Sequence, residues 1–149
     1  MSRISETIAS KQAQGKKVLI PYIVAGDPGL DLTVPLMHAL VASGADIIEL
    51  GMPFSDPSSD GPTIQLGAER ALRAGTTLKH IFAMVREFRE QDKDTPILLM
   101  GYLNPIETMG YEAFASEVSA AGADGLLIVD LPTAECEEFY AAAHAKGLD

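Results

Sequence analysis

The chain has 149 residues, of which 47% are apolar, 21% charged and 6% aromatic, enough for one domain with a modest core. Eleven Lys and Arg stand against twenty-one Asp and Glu, a net charge of −10, which argues against a nucleic-acid groove or an anionic membrane surface. No apolar run approaches the ~18 residues that cross a bilayer, and a single cysteine, Cys136, excludes a disulfide framework or a multi-Cys zinc site.

The first residues, Met1 to Lys17, lack the apolar stretch of a secretory signal, so a cytoplasmic location is expected. Four apolar runs then read as strands: Val18–Val24, Ile47–Leu50, Ile97–Met100 and Leu126–Val129. They lack polar alternation, the pattern of a covered parallel sheet. Helical stripes lie between them. Leu36, Met37, Leu40 and Val41 form the first, ended by Gly44, with Pro35 tolerable only in the first turn. After an irregular loop over 52–61 and helical sequence over 62–74, Leu78, Ile81, Phe82, Val85 and Phe88 form a second stripe, capped by Thr76 or Thr77. Tyr111, Phe114 and Val118 form a third, stopped at Gly122. Beyond Thr133, Glu135, Glu137 and Glu138 suit a helix N-terminus and Gly147 its stop. Ala42-Ser-Gly-Ala-Asp46 and Ala120-Ala-Gly-Ala-Asp124 each precede a strand, which suggests a repeated βα unit. Strand–helix alternation means α/β with a parallel sheet. An open flavodoxin-like sheet and half of a (βα)8 barrel both fit, and the pattern alone leans to the open sheet, which would be complete.

The chemistry concentrates in Glu49-Leu-Gly-Met-Pro-Phe-Ser-Asp-Pro-Ser-Ser-Asp60-Gly-Pro-Thr-Ile-Gln65. Glu49 falls within an apolar strand, where an ionised carboxylate is costly unless paired or used. Burial would raise its pKa and suit it to carry a proton at neutral pH. Asp56 and Asp60 follow on a loop at a strand's carboxyl end, where ligands bind in parallel α/β folds. A structural reading stands beside this one: Glu49 meets a buried Lys or Arg, and the aspartates form turns and cap the helix near Pro62. Gly26-Asp27-Pro28-Gly29 reads as a turn. Tyr22, Met100, Tyr102, Leu127 and Val129, on or beside strands, are equally explained as core. His38, His80 and His144 fall on separate helices and Cys136 near a helix start, so no metal site and no thiol nucleophile is expected.

The run 49–65 closely resembles the signature of the tryptophan synthase alpha subunit family. Pro21-Tyr-Ile-Val-Ala-Gly-Asp-Pro28, Leu99-Met-Gly-Tyr-Leu-Asn-Pro105 and Gly125-Leu-Leu-Ile-Val-Asp-Leu-Pro132 match the same family in order. The resemblance implies a (βα)8 barrel, with residues 1–149 a single domain holding its first four βα units, and so displaces the open sheet. It implies retro-aldol cleavage of indole-3-glycerol phosphate to indole and glyceraldehyde 3-phosphate, in tryptophan biosynthesis, with no metal or organic cofactor. It makes Glu49 the proton shuttle and Asp60 the carboxylate that meets the indole N–H and its developing positive charge. Tyr22, Met100, Leu127 and Val129 match positions lining the indole pocket. Pro53, Asp56, Pro57, Asn104 and Pro105 match the surface that docks on a beta subunit, the pyridoxal-phosphate partner of an alpha2beta2 complex. Ser58-Ser59 depart from the small apolar residues usual there. The family's phosphate-binding loops and active-site tyrosine loop would follow residue 149, so this chain alone is expected to be inactive or nearly so. The alternatives are a non-catalytic module that binds the beta subunit, and another phosphosugar barrel enzyme. The second would lack the Phe54-Ser-Asp-Pro57 and Asp60-Gly-Pro62 pairing.

Overall fold

A computed structural model describes residues 2–149. Four parallel strands, β1 (Tyr22–Val24), β2 (Ile48–Gly51), β3 (Ile97–Gly101) and β4 (Gly125–Ile128), pair in the order β1-β2-β3-β4. Around them run α1 (Arg3–Ala13), α2 (Thr33–Ala42), α3 (Pro62–Arg73), α4 (Leu78–Gln91), α5 (Leu103–Met109), α6 (Tyr111–Ala121) and α7 (Glu137–Ala145). Strand order follows chain order with no reversal, and α2, α4, α6 and α7 pack side by side in sequence. An open doubly wound sheet needs a switch in strand order to send helices to both faces. A sheet wound in one direction with its main helices on one face is instead an arc of a barrel. Leu148–Asp149 continue that order beside β4, where Asp149 N–H donates to Asp124 O at 3.0 Å and Leu126 N–H to Asp149 O at 2.9 Å.

The two faces of the sheet have different jobs. Ile48, Leu50, Ile97 and Leu99 are fully buried against Phe82, Val85, Phe88, Phe114 and Val118 of the helices. Register puts Tyr22, Glu49, Leu98 and Gly125 in one row of the opposite face, and Val24, Gly51, Met100 and Leu127 in the next. The core stripe of α4 is the expected one, with the Thr77 side chain accepting from His80 N–H as the cap. Gly44, Gly122 and Gly147 follow their helices at positive φ, as expected of stops.

Several details differ from expectation. The run 18–24 is a strand only over Tyr22–Val24, because Pro21 has no N–H and Leu19 N–H is taken by the Asp46 carboxylate at 2.9 Å. In α2 the buried residues are Thr33, Val34 and Met37, while Leu36 is 39% exposed, one helical step of about 100° away from Met37. The last helix starts at Glu137 behind Cys136, so that Glu137 and Glu138 fall in its first turn as expected and Glu135 lies just before it. Two helices lie in segments given no helix by periodicity, α1 and α5.

The repeated Gly-Ala-Asp corner has a structural reason. Asp46 accepts the N–H of Leu19, just before β1, and Asp124 accepts the N–H of Ile97 at the start of β3, at 2.8 Å. Each aspartate so ties the start of its own strand to the preceding one. Each also meets a cation of α1, Lys11 at Asp46 and Arg3 at Asp124, and α1 spans the two corners. Ile4 leans over Gly125, where a Cβ would stand 2.9 Å from Ile4 Cδ1. This helix therefore covers the end of the sheet opposite the carboxyl ends of the strands.

Candidate active site

Glu49 is half-buried on the inner row of the sheet, directly beside Tyr22 across the β1–β2 ladder. Among the described residues no cation and no hydrogen-bond donor meets its side chain, so the salt-bridged reading of this glutamate does not hold. Burial alone raises its carboxyl above the ordinary value. The Tyr22 hydroxyl stands over Gly51, where a Cβ would lie 2.2 Å from Oη and 2.6 Å from Cζ. Burial pushes this phenol up to about 12, with the Asp60, Glu49 and Tyr102 charges adding to the shift. The ring therefore stays neutral and lies within the field of both carboxylates.

Gly51 is thus a space requirement set by the neighbouring strand. Gly51→Ala is expected to displace the Tyr22 ring and cost about 1–3 kcal/mol, as overpacking does. Urea unfolding would show it as a lower midpoint, and an unchanged midpoint would mean that the Tyr22 ring does not fill this space.

Asp60 lies on the loop after β2 and does not cap α3, whose N-cap is Gly61 without a side-chain bond. Its Oδ2 accepts the Tyr102 hydroxyl proton at 3.0 Å, and that hydroxyl accepts Ser59 N–H at 3.0 Å. The contact from Ser59 is made by its main-chain N–H, which the departure at Ser58-Ser59 does not remove. Tyr102, which sequence reading explained equally as core, is buried and also holds the Asp60 carboxylate. Its only sequence signal is position: it directly follows β3, at the strand's carboxyl end. Asp56 does form a turn, with Ser55 Oγ donating to its carboxylate at 2.6 Å and Ser58 N–H to its main-chain oxygen at 2.8 Å. Asp27 receives a two-pronged contact from Arg70 at 2.7 and 2.8 Å and so fastens α3 over the end of β1.

The remaining predicted residues fall into two groups. Met100 and Leu127 share the inner row above Glu49, and Val129 follows Leu127 by two, its N–H bonded to Gly101 O at 3.0 Å. Leu127 is 39% exposed, an apolar side chain on an open face. Pro53, Asp56, Pro57, Asn104 and Pro105 are half-buried or exposed at the carboxyl end. Pro53 and Pro105 help to line a pocket of about 230 Å³ with Met52, Phe54 and Tyr102. Among the described residues no group of three His, Cys, Asp or Glu is placed to hold a metal ion, and no helix is long and apolar enough to cross a membrane.

Two carboxyls, one on a strand and one on a loop, thus frame an apolar inner face. The family model of the tryptophan synthase alpha chain matches residues 8–149. The chain belongs to the tryptophan synthase alpha chain family. The alpha chain of Azoarcus sp. (strain BH72) is 62% identical over all 149 residues. The crystal structure of the alpha subunit from Legionella pneumophila str. Paris superposes with a TM-score of 0.98 at 51% identity, covering 99% of this chain and 56% of that one. A tryptophan synthase α2β2 complex from Pyrococcus furiosus, described as showing the basis of mutual activation, matches at 46% identity and a TM-score of 0.84 over 88% of this chain and 55% of that chain. The chain spans about half the length of the curated relatives it matches, 55% for the Azoarcus protein. Its sheet and helices are the first four βα units of the alpha chain's barrel.

Proposed function

We propose that the complete protein bearing this segment is the alpha subunit of a tryptophan synthase, which cleaves indole-3-glycerol phosphate to indole and glyceraldehyde 3-phosphate. The observation that carries this reading is Glu49, a carboxyl raised by burial, with no counter-ion among the described residues, facing the cavity side of β2. Glu49 gives its proton to indole C3, and positive charge spreads to the ring nitrogen. Asp60 accepts the indole N–H and stabilises that charge. The Glu49 carboxylate then takes the proton of the side-chain hydroxyl as the carbon–carbon bond breaks, which releases an aldehyde and restores the acid. The proton balance closes without a redox partner, so no organic cofactor is needed for this half-reaction. Tyr22, Met100, Leu127 and Val129 supply the apolar walls for the indole.

Pro53, Asp56, Pro57, Asn104 and Pro105 form the surface offered to a beta partner, the pyridoxal-phosphate subunit that receives indole. Residues 1–149 by themselves are expected to turn over little, because the inner face around Leu127 is open to solvent and Glu49 gains only part of its desolvation. In the complete chain with its beta partner, indole release from indole-3-glycerol phosphate is the expected activity. Asp60→Asn should lower kcat about 100-fold or more, the loss typical of a removed charge-stabilising group. A folded complete chain that releases no indole overturns the reading.

A further inference from the structure

Asp60 is a loop residue, yet all but one of its polar atoms are held. Its main-chain N–H donates to Pro57 O at 3.1 Å, and its main-chain oxygen accepts from Gln65 Nε2 at 2.8 Å. Its Oδ2 accepts from the Tyr102 hydroxyl, while its Oδ1 has no donor among the described residues. Gln65 lies in the first turn of α3, and its own N–H bonds Gly61 O at 3.0 Å. Helix side chains lean toward the helix N-terminus, so a long side chain at this place reaches back to the residue before the cap. A carbonyl oxygen can only accept, so the carboxamide presents its nitrogen there.

The helix that carries Gln65 is itself fixed to the sheet. At the buried Gly67 it comes so close to β1 that a Cβ would stand 3.1 Å from Asp27 Oδ2 and 3.4 Å from Val24 Cγ2. Three residues on, Arg70 grips both oxygens of Asp27 at 2.7 and 2.8 Å. β1 in turn pairs with β2, with Tyr22 opposite Glu49. A continuous set of contacts therefore runs from the Asp60 main chain through Gln65, α3 and β1 to Glu49. In the proposed cleavage the two carboxyls serve two positions of one rigid ring, Glu49 at C3 and Asp60 at the N–H, so their separation has to be held. Tyr102 orients the Asp60 carboxylate, and Gln65 holds the main chain behind it. A charge-stabilising group placed in advance needs no reorganisation when the charge develops.

We propose that Gln65 is a positioning residue for this cleavage: through the Asp60 main-chain oxygen it ties the loop to α3, and it leaves Asp60 Oδ1 as the oxygen that receives the indole N–H. This rests on the function proposed above. The test is a double-mutant cycle on steady-state indole release by the complete chain with its beta partner at saturation, for wild type, Gln65→Met, Asp60→Asn and the double variant. Met keeps the length and helix preference of Gln and removes the donor. Gln65→Met is expected to lower kcat about fivefold, the size of one hydrogen bond, with KM changed less than about twofold. In the Asp60→Asn background, where the charge to be positioned is gone, the same change is expected to cost less than about twofold. Gln65 is exposed, so its replacement leaves the core untouched and the unfolding temperature close to wild type. Equal losses in the two backgrounds would make Gln65 a general support of α3 and overturn the positioning role, as would wild-type kcat in Gln65→Met or a loss confined to KM. A wild-type chain that releases no indole overturns the function itself, and this assignment with it.

Discussion

Glu49→Gln in the complete chain is expected to lower kcat for indole release by about 100-fold or more, the low end of what removal of a positioned acid or base costs. Gln fills the same volume in the inner row beside Tyr22 and Leu98 but carries no transferable proton. The same substitution is expected to leave stability equal or slightly higher at neutral pH. Burial holds the Glu49 carboxyl above its ordinary value, so the folded state binds its proton more tightly than the unfolded chain does. Its contribution to stability is therefore lost as pH rises from the ordinary carboxyl value through the raised one, and an amide avoids that cost. Loss of activity with retained or raised unfolding temperature is the signature of a functional glutamate. Loss of both would make it a structural one. In the wild type, with the neutral acid as the starting form, kcat/KM should fall as pH rises through a value above the ordinary carboxyl range.

Asp124→Ala is expected to cost about 3–5 kcal/mol, because it strands a buried cation. Asp124 is 7% exposed and Arg89 6%. Arg89 Nη2 reaches Asp124 Oδ2 at 2.8 Å, while its other nitrogens hold Gly122 O at 2.8 Å and Thr95 O at 2.7 Å. The guanidinium thus gathers the end of α6, the approach to β3 and the start of β4. Burial pulls its pKa down and the Asp124 charge opposes that, so removal of Asp124 leaves the desolvation uncompensated. The loss would be a large part of the ~5–15 kcal/mol that typically holds a domain together. Urea unfolding would show it as a lower midpoint with an unchanged slope. Asp46→Ala should cost less, since the Lys11 side chain is 31% exposed against 8% for Arg89 and water screens the charge left behind. A larger effect at Asp46 than at Asp124 would contradict this order.

Local pattern was a good guide wherever one side chain's environment depends on its near neighbours in the chain. The stripe Ile81, Phe82, Val85 and Phe88 is buried as its spacing demands, and the glycines after α2, α6 and α7 take the backbone conformation that ends a helix. The Gly-Ala-Asp echo was legible as a repeat, though its purpose was not. Asp46 and Asp124 act on the N–H groups of Leu19 and Ile97, each 27 residues away, which no local pattern encodes. Arg89 directly follows Phe88 in α4 and has no place in the apolar stripe. Only the closeness of Gly122, Thr95 and Asp124 makes it a core residue.

The amino-acid order by itself determined the class of fold, the run 49–65 as the place of chemistry, and family membership through motifs with specific residues at specific spacings. The apolar pattern alone left open whether the sheet is an open one or the arc of a barrel, a choice that only the family resemblance made, and it left open whether Glu49 is paired. In space, strand order settles the first, because winding direction is a relation between elements far apart in the chain. The second was decided by what surrounds one carboxyl in space: no cation among the described residues, a phenol seated over Gly51, and a second carboxylate held in place by Tyr102. A proton's affinity depends on dielectric and on charges within a few ångströms, and those distances exist only once the strands are laid side by side.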